Sequence, residues 1–330
     1  MNRLGTKKIN MQALLAPAAL VILYVFFCIA SPYFFGTYYL QAILESSYYI
    51  GFMAFGVTFI IITGGIDLSL GTVMMASSLL GAYTIKLGFP VIVSVLLTIV
   101  IAMVFGFLNG VMVAKLKLPP FIATLGTQMV STGLGSILTK VQSQTWPISG
   151  AENGGWFKDV FFKVDIFGIQ GFPVGALWLL GFFVIAALIL HKSKLGRYFY
   201  AIGSNEEAAR LSGINVDKYK IIAYTLSGFF VGMSALFFSA AYTTITPGTG
   251  AGQEMNGITG VIIGGTSMAG GSGTMVGTLI GVFIMSTLKN GLSACGLQAQ
   301  WQTFFTGLVV IGAVLLDIYR TKAASKVKKS

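Results

Sequence analysis

The chain is divided into long uncharged apolar segments by short clusters of charged residues, and this pattern limits the fold more than any single motif. Hydrophobic residues fill 55% of the 330 positions and charged residues only 9%, whereas roughly 25% is charged in an ordinary soluble domain. A helix needs about 20 apolar residues to cross the hydrocarbon core of a bilayer. The pattern therefore predicts an all-α, polytopic membrane protein and leaves no room for a soluble enzyme domain.

Ten apolar windows are interpreted as spans, with eight as the lower count. They are residues 13–31, 48–65, 70–86, 90–113, 121–139, 172–190, 221–243, 257–272, 274–289 and 301–318. Interrupted helices are expected around Gly64–Gly65 and Gly270–Gly271, and broken helices occur in membranes only where they are buried in protein or line a cavity. We therefore expect one transmembrane domain over residues 1–330, with about ten helices and Gly-interrupted segments.

The cations are distributed unevenly over the loops between these windows. Those on the same side as the N-terminus are Arg3, Lys7, Lys8, Lys115, Lys117, Lys192, Lys194, Arg197, Arg210, Lys218, Lys220, Arg320, Lys322, Lys326, Lys328 and Lys329. The opposite side has Lys86, Lys140, Lys158, Lys163 and Lys289. Because cytoplasmic loops carry the excess of positive charge, both termini are expected to be cytoplasmic. The net charge of +11 is accordingly interpreted as a topology signal and not as nucleic-acid binding.

Two loops are long, an external one at about 140–171 and a cytoplasmic one at about 191–220. Nothing in the external loop indicates a separate folded domain. In the cytoplasmic loop, Asn205 is a good N-cap for a short helix over 206–211, whose acidic residues lie at the positive end of the helix dipole. Gly213 fits a C-cap. Such a helix is suited to dock on a cytoplasmic partner, and an ordinary amphipathic connector is an equally good interpretation.

Glycine, with 42 residues, recurs at a spacing that suits close helix packing. Pairs four residues apart, which let two helices approach closely, are Gly106 with Gly110, Gly228 with Gly232, Gly260 with Gly264 and Gly277 with Gly281. Residues 57–72 can also be aligned with 257–274, since both run from an apolar stretch into Gly-Gly and then into Gly-Thr. Paired broken segments of this kind indicate the pathway in transporters, and chance similarity is the alternative.

Polar side chains in the apolar windows are few, and each has a structural as well as a functional interpretation. Asp67, in GGIDLSLG, either belongs to a translocation pathway or caps the following helix. Neutral groups that suit a hydroxyl-rich solute, or that form interhelical hydrogen bonds, are Asn109, Thr124, Gln128, Gln298, Gln300 and Gln302. Glu254, beside a glycine-rich outer loop, either receives an external protein, gates the pathway, or is a solvated loop carboxylate.

Several chemistries lack the residues that they need. Cys28, Cys295 and the single histidine, His191, give neither a disulfide framework nor a metal site. No G-x-x-x-x-G-K-[ST] phosphate loop is present, so we expect no ATP hydrolysis and no catalytic residue on this chain. Without a buried His or Arg, a proton relay is poorly supported.

Six motifs together resemble one family, the permease subunits of ABC importers for simple sugars of the ribose, xylose, galactose and autoinducer-2 type. They are GGIDLSLG (64–71), LNGVMVAKLKLPPFIATLGT (108–127), LGRYFYAIGSNEEAARLSGIN (195–215), QEMNGITGVIIGGTSMAGGSGT (253–274), NGL (290–292) and LLD (315–317). The resemblance extends from about residue 50 to residue 318. The most specific of these motifs is the one in the long cytoplasmic loop.

The resemblance implies a function and a set of partners. Two permeases, identical or paralogous, would form a core in the bacterial cytoplasmic membrane and import sugar by alternating access. A cytoplasmic ATP-binding cassette subunit would bind ATP and Mg, so no cofactor is expected on this chain, and a periplasmic or lipid-anchored protein would deliver the sugar. The coupling helix, resting in a groove of the ATPase, would match Gly203, Asn205, Ala208, Ala209, Arg210, Ser212 and Gly213, with its small alanines allowing deep seating.

The chain departs from the family pattern in two places that face the binding protein. Residues 255–259 are more polar than usual, and residues 241–244 stand where an Arg is often found. Both departures leave the exact sugar open. A secondary transporter driven by protons or sodium, with Asp67 as the coupling carboxylate, and a passive channel are the alternative functions.

Overall fold

Helices form most of the computed structural model, which describes residues 11–166 and 169–327. In chain order, the elements are α1 (Met11–Ala30), α2 (Thr37–Ile62), α3 (Leu70–Lys86), α4 (Val91–Ala114), α5 (Pro120–Leu138), β1 (Gln144–Thr145), α6 (Trp156–Phe161), β2 (Val164–Ile166), β3 (Ile169–Phe172), α7 (Val174–Lys192), α8 (Lys194–Ser204), α9 (Glu206–Leu211), α10 (Val216–Tyr242), β4 (Thr244–Ile245), α11 (Glu254–Ile263), α12 (Met275–Ala294) and α13 (Ala299–Val327). The all-α expectation therefore misses four short strands. Strand β1 pairs with β4 and β2 with β3, both antiparallel.

In the described part of the chain, seven helices are long and apolar enough to cross a membrane. They are α2, α4, α5, α7, α10, α12 and residues Ala299–Tyr319 of α13. Helices α3 and α11 have only 17 and 10 residues. The expected count of about ten crossings is thus not confirmed. Arg3, Lys7, Lys8, Lys328 and Lys329, which entered the topology prediction, lie outside the described residues.

Helix α2 is the centre of the bundle. Burial covers 94% of its apolar window, and α7, α10, α11 and α12 all pack against it. It begins well before the predicted start at residue 48, because Glu45 lies within it and not in a loop. The Glu45 carboxylate is thus part of the helix, and it pairs with Lys163, a residue distant in sequence, at 3.2 Å.

The four predicted glycine pairs form two helix–helix contacts, which confirms their interpretation as packing sites. Helix α4 crosses α10 where Gly106 meets Gly228, and a methyl group on Gly228 would lie 2.6 Å from the Ala102 carbonyl oxygen. Helix α11 meets α12 so closely that a methyl group on Gly281 would overlap the Gly260 carbonyl group. Backbone touches backbone at both contacts, so no larger residue fits.

The chain is interrupted at both predicted glycine pairs. The first break, residues 63–69, separates α2 from α3 and contains Gly64 with a φ of 78°. The second break, residues 264–274, separates α11 from α12 and contains Gly265 and Gly270 with φ values of 95° and 84°. The expected helix over 257–272 is therefore wrong, because α11 ends at Ile263. The similarity between residues 57–72 and 257–274 has a structural counterpart, a helix, a break and a second helix.

The two ends of the bundle carry different connections. At one, called here the loop end, lie α8, α9 and the C-terminus of α2. At the opposite end, the segment after α5 is fixed to α3 by Trp146, which is 1% exposed. Its Nε1 donates to the Ser78 carbonyl oxygen at 3.1 Å, and its ring stacks on Phe157 at 4.5 Å. The long segment after α5 is thus anchored by a buried side chain.

The close approach of α11 and α12 predicts a strong effect of one methyl group. Gly281→Ala should lower the thermal stability of the purified protein, by about 1–3 kcal/mol, because the two backbones must separate. Fluorescence-detected thermal unfolding in detergent measures this. Gly312→Ala in α13 is the control, since nothing lies within 4 Å of a methyl group there. Equal stability of the two variants would contradict the packing assignment.

Candidate functional site

The first break is filled by a buried hydrogen-bond network around Asp67, which is 2% exposed. The Asp67 carboxylate accepts from the N–H of Ser69 at 2.8 Å, from the Ser69 hydroxyl at 2.6 Å and from Nδ2 of Asn109 at 3.2 Å. Ser69 directly precedes α3, and its side chain forms no cap hydrogen bond. The carboxylate therefore holds the residue that leads into α3 and not the N–H groups of its first turn. This geometry supports a structural role for Asp67, and a cap on α3 stays a prediction.

Helices α4 and α5 close the network around the break. Asn109, on α4, donates to the Ser69 hydroxyl at 3.0 Å and accepts from the Thr127 hydroxyl at 2.5 Å. Thr124, one turn before Thr127 on α5, accepts from the N–H of Leu68 at 3.1 Å. Side chains from two helices thus satisfy the backbone of the break.

Three of the four predicted pathway residues meet at this point. Asp67, Asn109 and Thr124 belong to one network and bond mainly to protein groups, as buried polar groups generally do. Gln128 lies half-buried on α5 and is not a member of the network. The three residues therefore hold the break together, and direct solute contact by any of the four stays a prediction.

Two further residues support the breaks and were missed from the sequence. The Tyr224 hydroxyl, from α10, donates to the Ile66 carbonyl oxygen at 3.0 Å in the first break. Asp317, from α13, accepts from the Ser267 hydroxyl at 3.2 Å and from the Met268 N–H at 3.0 Å in the second. The LLD motif contains Asp317 and was a signal for it, whereas no pattern marks Tyr224.

The two breaks meet at the loop end, against α8. The N–H of Gly271 donates to the Ile62 carbonyl oxygen at 2.9 Å. Gly203 lies at this contact, where a methyl group would overlap the Ile62 carbonyl group and lie 2.5 Å from the Gly271 nitrogen. The Tyr200 hydroxyl, one turn earlier on α8, donates to the Gly273 carbonyl oxygen at 2.6 Å. We call the contact of Ile62, Gly203 and Gly271 the glycine junction, and it attaches α8 to both breaks.

Helix α9 has the caps that the sequence predicts. Asn205 Oδ1 accepts from the N–H of Ala208 at 2.9 Å, which satisfies one free donor of the first turn. After Ser212, Gly213 takes a φ of 81°, the left-handed conformation of a helix C-cap. Both cap predictions are confirmed, and α9 follows α8 directly through Asn205.

The two alanines of α9 face in different directions. Ala208 is exposed, and Leu211, one turn later, has 84% of its surface exposed. Ala209 is buried against Ile202 and Val216 of its own chain. The expectation that both alanines seat α9 in a partner is therefore corrected, because only Ala208 lies on the outer face.

Ion pairs connect α9 to α10, and α10 to the loop between α4 and α5. Arg210 pairs with Glu206 at 3.4 Å and with Asp217 at 3.2 Å, while Lys117 pairs with Asp217 at 2.8 Å. Burial raises the pKa of Glu206, but bonds from Lys220 and Arg210 lower it overall. The Glu206 carboxylate thus stays ionised at neutral pH and keeps its partners.

Glu254, at the start of α11, is only 3% exposed. Both carboxylate oxygens accept from the N–H of Gly252 at 3.0 Å. The carboxylate packs on Gly71 of α3, where a methyl group would lie 2.6 Å from Oε2. The solvated-loop interpretation is wrong, because the carboxylate is buried. Its roles in receiving an external protein and as an outer gate stay predictions.

A cleft of about 500 Å³ opens between residues 251–256 and α13, within the usual size range of small-molecule sites. Its polar lining consists of Gln253, Asn256, Lys289, Gln302, Thr303 and Thr306. Amides and hydroxyls donate and accept hydrogen bonds, so they complement the hydroxyl groups of a solute. Gln302 was singled out from the sequence, and the others were not. Among the described residues, no group of three His, Cys, Asp or Glu side chains could hold a metal ion.

The Asp67 network predicts graded effects on stability. Asp67→Ala removes three accepted hydrogen bonds and should lower stability by about 1–3 kcal/mol. Asp67→Asn keeps one acceptor oxygen for Ser69 but places an amide against Asn109, so an intermediate loss is expected. Thermal unfolding of the two purified variants measures the order.

Asp159→Ala is the control, since Asp159, on α6, accepts an exposed hydrogen bond from Ser149. An Asp67→Ala protein as stable as this control would show that Asp67 has no structural role.

Comparison with known proteins gives the family. The chain matches the family described as branched-chain amino acid transport system / permease component over residues 39–314. It is 38% identical over 314 residues to the ribose import permease protein RbsC of Bacillus subtilis (strain 168), with 95% of this chain and 94% of that protein covered. It is 33% identical over 303 residues to the fructose import permease protein FrcC of Rhizobium meliloti, with 88% and 81% covered.

A solved structure shows the same fold. It is described as an inward-facing conformation of an ABC transporter assigned to the metal-chelate type, with a TM-score of 0.50 and 17% identity, and 92% of this chain and 99% of that chain are covered. The resemblance drawn from the sequence motifs is confirmed by these matches. The chain belongs to the family of transport-system permease components that includes the ribose and fructose import permeases.

Proposed function

We propose that this chain is the membrane-spanning subunit of an ATP-driven ABC importer, and that it passes a monosaccharide or a similar small polyhydroxylated solute into the cytoplasm by alternating access. The relatives named as ribose and fructose import permeases support this solute class. The observation that carries the proposal is α9, a capped helix with an exposed outer face that is joined through α8 to both breaks. Such a helix is suited to transmit the movement of a partner.

The loop end would face the cytoplasm, together with both termini, in the cytoplasmic membrane of a bacterium. There a cassette ATPase, which binds ATP and Mg, would contact α9 at Ala208 and Leu211. A periplasmic or lipid-anchored binding protein would deliver the solute at the opposite end. This chain would supply the path and no cofactor of its own.

Helix α13 offers a surface for a second permease, identical or paralogous. Only 6% of its apolar window is buried, and Trp301, Leu308 and Leu315 are each at least 50% exposed. The same helix forms one wall of the cleft, so a second subunit there would enclose the solute between two chains. Lipid would cover the remaining exposed apolar faces of the bundle.

A displacement of α9 by the ATPase would reach the breaks through the glycine junction. Helix α9 follows α8 without a flexible linker, and Gly203 touches Ile62 and Gly271 directly. The breaks lead into α3 and α12, so both helices would move with α8. The solute would meet mainly neutral hydrogen-bonding groups in the cleft and would bind only weakly on its way.

The secondary-transporter alternative needs a carboxylate that can load and release a cation. The Asp67 carboxylate is enclosed by the Ser69 N–H, the Ser69 hydroxyl and the Asn109 amide. Exchange of a proton or sodium ion there would disrupt the start of α3. This arrangement favours ATP-driven import over coupling through Asp67.

Docking on α9 predicts a specific loss of the ATPase. Leu211→Asp and Ala208→Asp should leave a monodisperse permease but abolish stoichiometric co-purification of the cassette ATPase from native membranes, because each places a charge on the outer face. Mass spectrometry and ATP hydrolysis of the purified complex measure the loss.

Ile148→Asp is a matched control, since Ile148 is an apolar residue 58% exposed in the segment after α5 at the opposite end. ATPase binding that survives both α9 substitutions would reject the docking site, and a preparation without any cassette ATPase in the wild type would reject the proposed function.

A further inference from the structure

Lys289 on α12 places its ammonium group inside the bundle, near the end that lies opposite the loop end. Its Nζ donates to the Tyr49 hydroxyl at 2.5 Å and to the Tyr242 hydroxyl at 3.2 Å. The same nitrogen lies 5.2 Å and 5.7 Å from the centres of those two rings, within the range of cation–π attraction. Two tyrosines from α2 and α10 therefore fix the ammonium group in one place.

Two cavities meet at Lys289. One is the cleft of about 500 Å³ along α13, and the other is a polar cavity of about 160 Å³ that Glu45, Ser46 and Asn290 also line. Lys289 is the residue shared by the two linings, whereas Tyr49 and Tyr242, which hold its Nζ, line only the smaller cavity. The ammonium group therefore lies at the boundary between the two cavities, and an anion in the larger cleft would have to reach that boundary.

The charge of Lys289 is not balanced by an anion of its own chain. Among the described residues it forms no ion pair. Glu45, the acidic residue of the smaller cavity, is paired with Lys163 at 3.2 Å. The lining of the larger cleft contains no acidic residue. A partly desolvated cation without a counter-charge is unfavourable, so an anion from a ligand would be favoured here.

The hydrogen-bonding capacity of the ammonium group points to the same ligand. An ammonium group has three N–H donors, and the two tyrosine hydroxyls occupy two of them. One donor and one positive charge remain, which suits a single carboxylate. Around it, Gln253, Asn256 and Gln302 offer amides suited to hydroxyl groups.

We propose that the cleft is a binding site for a sugar acid, a polyhydroxylated solute with one carboxylate, and that Lys289 determines this specificity over the neutral sugar. The inference rests on the proposed function in one respect, that the cleft lies on the path of the solute. To the proposed function it adds the negative charge of the solute and the residue, Lys289, that would bind the carboxylate.

Binding to the purified permease in nanodiscs tests this inference with matched pairs of probes, D-glucuronate against D-glucose and D-galacturonate against D-galactose. Titrations by saturation-transfer NMR should show at least one acid binding in the millimolar range and about five-fold more tightly than its neutral partner, as for a partly exposed ion pair. Lys289→Gln should abolish the preference and Lys289→Arg should retain it. Lys86→Gln is the matched control, because Lys86 bonds to Gln142 and does not line the cleft.

Equal binding of acid and neutral sugar, a preference that persists in Lys289→Gln, or no binding of either acid would overturn the inference. If Lys289→Gln fails to fold, the salt dependence of the wild-type protein takes its place as the test. The preference for the acid must decrease as salt is raised, because added ions screen the attraction. A preference that does not depend on salt overturns the inference as well. Co-purification of the cassette ATPase is measured on the same preparations. If the ATPase complex is intact but the acid is not preferred, only the role of Lys289 is rejected, and the proposed function stands.

Discussion

Backbone groups freed by a helix break need hydrogen-bond partners inside the protein, because the hydrocarbon of a bilayer offers none. This chain has two such breaks, and the rest of the structure depends on how the backbone groups of each are hydrogen-bonded. At the first break, Asp67, Thr124 and Tyr224 bring side chains from the break itself, α5 and α10. At the second, Asp317 reaches in from α13 and Tyr200 from α8. Most of the bundle is thus organised around the two breaks, and side chains from several helices supply the hydrogen bonds that their backbone groups need.

The same constraint connects the surface to the interior. Gly203 has no side chain, so α8 can lie directly on the carbonyl group of Ile62 and the N–H of Gly271. Helix α9 stands at the other end of this contact, fixed by the Asn205 cap and by the ion pairs of Arg210. A partner that pushes on α9 would act through direct backbone–backbone contacts, which leave no flexible side chain to absorb the movement.

Local chemistry could be predicted from the sequence, and long-range contacts could not. The caps at Asn205 and Gly213, both breaks and the glycine pairs follow from short patterns with a direct physical meaning. Helix α2 extends past its predicted start and includes Glu45, whose partner Lys163 lies far along the chain. The burial of Glu254 and of Ala209 likewise depends on which elements pack together, and neither residue carries a local signal for it. The cleft combines three distant segments, so only Gln302 among its polar residues stood out.

The coupling of import to ATP hydrolysis in a Gly203→Ala variant tests the glycine junction most directly. A complex of the permease, its ATPase and its binding protein would be reconstituted in liposomes, and solute imported per ATP hydrolysed would be measured. Gly133→Ala, where a methyl group meets nothing within 4 Å, is the control. Because the added methyl group separates α8 from the breaks, ATPase binding should persist while import per ATP falls several-fold below the control. An unchanged ratio would show that movement of α9 reaches the pathway by another route.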